Sequence, residues 1–413
     1  MGALLTYLYL CFLPNEIAVF IGSVRFEPYR LFLIFYFFFS VYRGTNGLLF
    51  DYEKYLLAAI GWVSISNIST MPGFTGIEPS LIYFLQLWVG YTIGRNAIRS
   101  IGSFRVFIGR YLGLILILAP LALYESQNGY RLTHVLASKI TGIYAEPSLG
   151  QGYFRYGVHR SSTIFSHPIL YSVCATAMFI YVISNFYSGF IKSAFLLSIV
   201  AALYTAMTSA GFLMVMIIAT LLMIERVSKS IHILKPMLVY GGILTLVVIE
   251  LLSNRGAVKF LMSTLAFNPQ TAYMRYAQFE YTKDDIMRSP WFGINGEWTR
   301  PIGIPGSVDN YWIIMALEYG LPNLLLMVVF WYKMGRLLYL EREKHAYVFF
   351  AYLSLASIGI AALTVHLFDR AQILTYLILG VYAGLLFTVQ RQWELKPVAS
   401  STVSISRNNF DAK

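Results

Sequence analysis

A chain of 413 residues that is 57% hydrophobic and only 12% charged, with a mean hydropathy of +0.62, cannot fold as a water-soluble globule. Its net charge of +11, from 31 Lys plus Arg against 20 Asp plus Glu, needs an anionic neighbour, and anionic lipid accounts for most of it. The composition therefore describes an all-α polytopic membrane protein with no internal repeat.

Apolar runs succeed one another along the chain as expected membrane-spanning helices. They are Leu4–Ile21, Leu31–Tyr42, Tyr55–Ile68, Ser80–Ile93, Phe104–Tyr124, Ile169–Ile183, Ala194–Met207, Phe212–Ile224, Pro236–Leu252, Tyr311–Trp331, Ala346–His366 and Ile373–Val389, about twelve in all. Pro14 and Glu16 interrupt the first, which reads as a kink or a half-inserted helix; no Lys or Arg precedes Arg25, which argues against a cleaved signal peptide. Cys11 and Cys174 fall in apolar runs and read as buried thiols, not as a disulfide or metal site.

The runs divide the chain into N-terminal helices (1–124), a first polar loop (125–166), central helices (167–252), a second, amphipathic loop (253–308), C-terminal helices (309–390) and a polar tail (391–413) expected to be disordered. Lys and Arg crowd three short connections: Arg95, Arg99 and Arg105; Arg226, Lys229 and Lys235; Lys333, Arg336, Arg342 and Lys344. The positive-inside rule makes that side cytoplasmic, places both termini there, and sets the two long loops outside. Those loops break the rule. Arg131, Lys139, Arg155 and Arg160 in the first, and Arg255, Lys259, Arg275, Lys283, Arg288 and Arg300 in the second, indicate an anionic ligand on the extracytoplasmic face, where nucleic acid is a poor candidate.

Four local patterns stand out against this background. Arg160-Ser-Ser-Thr-Ile-Phe165-Ser-His167-Pro168 opens a helix; Met207-Thr208-Ser209-Ala210-Gly211 turns between two apolar helices; the Arg275 helix leads into Ser289-Pro290-Trp291-Phe292-Gly293-Ile294-Asn295-Gly296; and Asp309-Asn310-Tyr311-Trp312 leads to Glu318-Tyr319-Gly320-Leu321. Together, over roughly Arg160 to Trp331, they resemble the polysaccharide polymerase and O-antigen ligase family of bacterial C-type membrane glycosyltransferases. Two departures are informative: Ala210 stands where that family usually has an arginine, and Asp309 stands where ligases typically have a histidine, which inclines the reading to a polymerase.

The resemblance implies an inner-membrane enzyme that lengthens O-antigen, capsule or exopolysaccharide by moving an undecaprenyl-pyrophosphate-linked glycan onto a lipid-linked repeat unit with inversion. It implies neither a nucleotide sugar nor a cofactor, and a chain-length regulator and a flippase as further partners. A pyrophosphate leaving group needs cations, for which Arg160 and Arg275 are the expected residues; Asp309 or His167 is the expected base. Arg155, Arg300, Trp291, Asn310, Tyr311, Trp312 and Glu318 are expected to contact substrate, the aromatics by stacking on sugar faces. Each has a plainer role open to it: Asp309 and Asn310 as helix caps, His167-Pro168 as a helix start, Arg275 as the surface partner of Glu280 or Asp284, Glu318 as one of a structural pair, the aromatics as interfacial anchors. A ligase acting on a lipid A core or protein is the nearest alternative. A lipid-linked oligosaccharide transporter is the alternative from another class, although repeated halves and midplane charge are absent.

Overall fold

The computed structural model describes residues 1–21, 24–43, 49–148, 150, 153–155, 157–184, 186–228, 230–231, 233–252, 269–295, 298–299 and 307–394. Helices dominate: α1 (Gly2–Cys11), α2 (Pro28–Tyr42), α3 (Glu53–Thr70), α4 (Ile77–Phe84), α5 (Gly90–Ala97), α6 (Ile101–Asn128), α7 (Leu132–Thr141), α8 (Pro168–Thr176), α9 (Phe179–Ile183), α10 (Gly189–Ala206), α11 (Ser209–Ser228), α12 (Leu234–Leu252), α13 (Pro269–Arg288), α14 (Tyr311–Tyr319), α15 (Leu321–Leu340), α16 (Ala346–Ala361) and α17 (Asp369–Glu394). Among the described residues, sheet is confined to two short antiparallel hairpins, Val19–Ile21 with Val24–Phe26 (β1, β2) and Phe154–Arg155 with Val158–His159 (β3, β4).

Among the described residues five helices, α6, α10, α11, α15 and α17, are long and apolar enough to cross a bilayer; α1, α2, α16 and part of α12 are shorter apolar helices. Lipid tails are as apolar as leucine, so helix association in a membrane rests on close packing rather than on burial from water. The last helix shows this. Its apolar stretch is 89% buried against 22% for α11, which makes α17 the central element and α11 a peripheral one. Gly380 and Gly384 lie one turn apart on it, and a Cβ at either would sit 2.0 Å from the Tyr91 carbonyl oxygen or 2.6 Å from that of Arg95. Gly94 on α5 returns the contact against Leu377, so the two backbones meet along a stripe of glycines.

Local chemistry sets the helix ends. At the start of α6, Ser100 Oγ accepts from the Ser103 N–H and Ser103 Oγ accepts from the Ser100 N–H, both at 3.1 Å, a reciprocal cap. The same helix stops at Gly129, whose φ of 65° lets its N–H reach the Glu125 carbonyl.

Several expected boundaries move. The first run does not continue to Ile21: α1 ends at Cys11, Pro14 follows, and the chain turns into the β1–β2 hairpin. There Asn15 Nδ2 donates to Asp369 Oδ2 at 3.0 Å while Arg370 Nε donates to Asn15 Oδ1 at 2.6 Å, tying the start of the chain to α17. The run Tyr311–Trp331 is not one helix either; Gly320, with φ 85° and ψ 168°, separates α14 from α15. Ser80–Ile93 contains a π turn at Leu85–Val89, and Ile169–Ile183 is split into α8 and α9. α17 runs to Glu394, beyond the expected helical end at Gln390; the rest of the tail, and the stretch 253–268 of the second loop, lie outside the described residues.

Candidate functional site

The two polar segments meet. Arg160 leaves β4, and its backbone N–H donates to the Tyr153 carbonyl at 2.7 Å while its Nε donates to the Ala206 carbonyl at 2.9 Å. Arg275 lies on α13 three residues before Gln278, on the same helical face. Gln278 holds the approaching segment at two points: its amide Nε2 donates to Ser307 O at 2.7 Å, and its Oε1 accepts from the Asp309 N–H at 3.0 Å. Asp309 is thereby set in the field of both guanidinium groups, although it lies 149 positions from Arg160 in the chain.

Electrostatics describes the cluster. Burial pushes the Asp309 carboxyl above the usual carboxylate range, and the charges of Arg275 and Arg160 draw it back down. Burial likewise lowers Arg160 to about 10, with Arg155 adding to the fall and Tyr153 and Asp309 opposing it. Arg275 is lowered by burial and by Arg155 against the pull of Asp309, and its Nε is buried with no hydrogen-bond partner among the described residues. Two cations thus share one carboxylate, and a third, Arg155, lies close to both of them. The arrangement suits an additional anion that brings its own acceptor oxygens.

His167 sits at the edge of this group. Its Nδ1 accepts from the Ile169 N–H at 3.2 Å, capping α8, so a neutral ring carries its proton on Nε2 and is a donor there. Burial, Arg160 and Arg155 together lower it to about 4, so it is neutral near pH 7. A base needs a free lone pair, and of the two expected bases only Asp309 has one to offer.

Behind Arg160 is a network drawn from the first polar loop and the first apolar run. Glu125, at the end of α6, accepts from Ser161 Oγ at 2.5 Å and from the Thr163 N–H at 2.7 Å. Arg131 Nε lies 3.9 Å from the same carboxylate, and Arg131 Nη2 is 2.8 Å from His134 Nε2. Arginine only donates, so His134 Nε2 accepts and its Nδ1–H points to Glu16, 2.9 Å away. Burial raises Glu16, but the His134 hydrogen bond, with the charge of Arg131, brings it below its ordinary value. The signal was present in part: Glu125 is an ionisable group at the end of an apolar helix, where such groups are costly.

The second signature lies next to the first. Ser161 N–H donates to the Thr205 carbonyl at 2.9 Å, and the Ser172 and Thr208 hydroxyls are hydrogen-bonded across the turn at Met207, whose φ is 44°. Ala210 is buried, and the Arg160 guanidinium is held against this turn through Ala206.

The third and fourth signatures clasp each other. Leu321 N–H donates to the Pro290 carbonyl at 2.7 Å and Ile294 N–H to the Leu317 carbonyl at 2.8 Å. Gly293 has φ 69° and Gly320 φ 85°; a Cβ on Gly293 would lie 2.3 Å from the Glu318 carbonyl carbon, and one on Gly320 would lie 2.0 Å from the Trp291 oxygen. Trp62 of α3 closes the clasp, its Nε1 donating to Trp291 O at 3.0 Å and Tyr319 O at 3.1 Å while its ring stacks on Phe292 at 5.7 Å.

The remaining expected contacts are distributed differently. Asn310 Oδ1 caps α14 by accepting from the Trp312 and Ile313 N–H groups, and its Nδ2 donates to Leu363 O at 2.8 Å. Tyr311 is fully buried with its hydroxyl 2.8 Å from that of Tyr376, and Trp312 donates to Gly359 O and packs edge-on against Trp331. Glu318 has Tyr83, Tyr311 and Tyr319 as its electrostatic neighbours, not the arginines. The Trp291 side chain is 65% exposed, Arg155 joins the cluster, and Arg300 lies outside the described residues. Cys11 and Cys174 are free and buried, and among the described residues no three potential ligands gather for a metal ion.

Comparison with protein-family models gives no match for this chain, and comparison with curated proteins gives none either.

Proposed function

We propose that this protein is a polysaccharide polymerase of a bacterial inner membrane, crossing it about twelve times with both termini in the cytoplasm and the arginine cluster on the outer face. The observation that carries the reading is that Arg160 and Arg275, with Arg155 close to both, act on the single carboxylate of Asp309. The substrate in this reading is a glycan on undecaprenyl pyrophosphate. Arg160 and Arg275 grip the pyrophosphate oxygens more strongly as the bond to the anomeric carbon breaks, which lowers the barrier in the manner of preorganised donors. Asp309 takes the proton of the acceptor hydroxyl as its oxygen forms the new bond to that carbon on the opposite face. The products are the lengthened lipid-linked glycan and free lipid pyrophosphate, with the anomeric configuration inverted.

Asp309, at the position where ligases of the resembled family typically have histidine, supports a lipid-linked acceptor over a lipid A core. The test is reconstitution of the full chain in liposomes with one synthetic undecaprenyl-pyrophosphate repeat unit and no other acceptor. A ladder of products is the expected result. Transfer that appears only after a lipid A core or protein is added would make it a ligase, and no product under either condition would return it to the transporters.

A further inference from the structure

The opposite end of the bundle holds a concave site. Between Asp369, at the cluster end of α17, and Arg391, the helix rises roughly 33 Å at 1.5 Å per residue, close to the thickness of a bilayer's hydrocarbon core. There a cavity of about 740 Å³ opens between the C-terminal ends of α2, α5 and α17 and the start of α1. Arg43, Arg95, Arg99 and Arg391 line it, and no Asp or Glu does.

The four arginines are not equivalent. Arg95 is compensated, its Nε lying 2.8 Å from Glu53. The Arg43 guanidinium lies over the Phe39 ring at 4.5 Å, and Arg99 Nε donates to the Asn96 carbonyl at 3.3 Å. Among the described residues no carboxylate pairs with Arg43, Arg99 or Arg391, so three positive charges face one concavity. Planar guanidinium forks match phosphate oxygens. The remaining walls include Tyr36, Phe39 and Phe387, and the volume far exceeds that of a phosphate ion, which leaves apolar space beside the charged part.

We propose that this cavity binds the phosphate headgroup of an anionic lipid, with its chains lying against Tyr36, Phe39 and Phe387. A row of cations at a membrane face attracts anionic lipid without any shaped site, at about 1 kcal/mol per residue. The concavity is what separates the two cases, so the test varies charge and shape independently.

The full chain, purified in detergent, is titrated with phosphatidylglycerol and with phosphatidylcholine of the same chain length and followed by native mass spectrometry. Selective retention of phosphatidylglycerol is expected. The triple variant Arg43→Gln, Arg99→Gln, Arg391→Gln weakens it about a hundredfold, the equivalent of about 1 kcal/mol for each arginine. Ala97→Trp leaves every charge in place but fills part of the cavity, and weakens retention at least about tenfold. A control triple, Lys333→Gln, Arg336→Gln, Lys344→Gln, removes as much charge elsewhere and has little effect. Unchanged retention in the arginine triple or in Ala97→Trp would overturn the proposal, as would an equal loss in the control. Inorganic phosphate that displaces the lipid at submillimolar concentration would overturn it in favour of the free ion.

Discussion

Replacing Gly320 by alanine tests the clasp that brings the second loop onto the helix mouth. With φ 85° and ψ 168°, Gly320 occupies a region that only glycine enters freely, and forcing another residue there costs about 1–3 kcal/mol. The new Cβ would also lie 2.0 Å from the Trp291 oxygen and 2.4 Å from its carbonyl carbon, so the Pro290–Asn295 turn must withdraw. Withdrawal breaks the Leu321–Pro290 and Ile294–Leu317 backbone hydrogen bonds, each worth about 1 kcal/mol. The expected loss is about 3–5 kcal/mol. Two controls separate strain from clash. Gly142, with φ 74° and open space around its Cβ, should cost about 1–2 kcal/mol as alanine. Gly113, inside α6 with nothing within 4 Å, should be neutral or stabilised by up to about 1 kcal/mol. The assay is reversible unfolding in mixed micelles, followed by tryptophan fluorescence and circular dichroism. Gly320→Ala falling within about 0.5 kcal/mol of Gly142→Ala would refute the reasoning, because the clash would then contribute nothing.

Three further outcomes follow from the site. Asp309→Asn should slow ladder formation by about a hundredfold or more, whereas His167→Asn, which keeps a capping side chain, should stay within a few-fold of the parent; the reverse order would make His167 the base. The pH profile of the initial rate should have an acid limb set by Asp309. Arg275 favours the carboxylate form, so Arg275→Gln raises the Asp309 pKa and moves that limb to higher pH, and a limb that stays put or moves down would dissociate the two groups. Glu125→Ala removes the acceptor of Ser161 and Thr163, and should cost about 2–3 kcal/mol in the same unfolding assay. A loss below about 1 kcal/mol would mean that the network does not hold the Arg160 segment.

Much of this was legible because charge is conspicuous in an apolar chain. Arg160, Arg275 and Asp309 stand out beside apolar runs, and cations on the side expected to be outside ask for a reason. Their meeting was not legible, since it depends on Gln278 capturing Ser307 and Asp309 and on Ala206 capturing Arg160, contacts that no periodicity encodes. Helix breaks were hidden for a related reason. An apolar run reads the same whether or not it is continuous, so Gly320 followed by Pro322 passed as part of one span, and the turn after α8 left no mark at all. Tyr311 and Trp312 show the converse: aromatics next to a polar motif invite a sugar-stacking role, yet their partners are Tyr376 and Trp331 in the bundle.

The tie between Asn15 and α17 has a consequence in time. Asn15 and Asp369 are 354 residues apart, so the Asn15 amide waits for all of those residues to be made before it meets its acceptor. At a synthesis rate of about 5–20 residues per second the wait is about 18–70 s. During it, α1 has neither the Arg370 guanidinium that donates to the Cys11 carbonyl nor the Asp369 carboxylate that accepts from Asn15. The bundle therefore closes last where it begins, and a ribosome that stalls before residue 369 releases a chain whose first helix has not yet been locked in place.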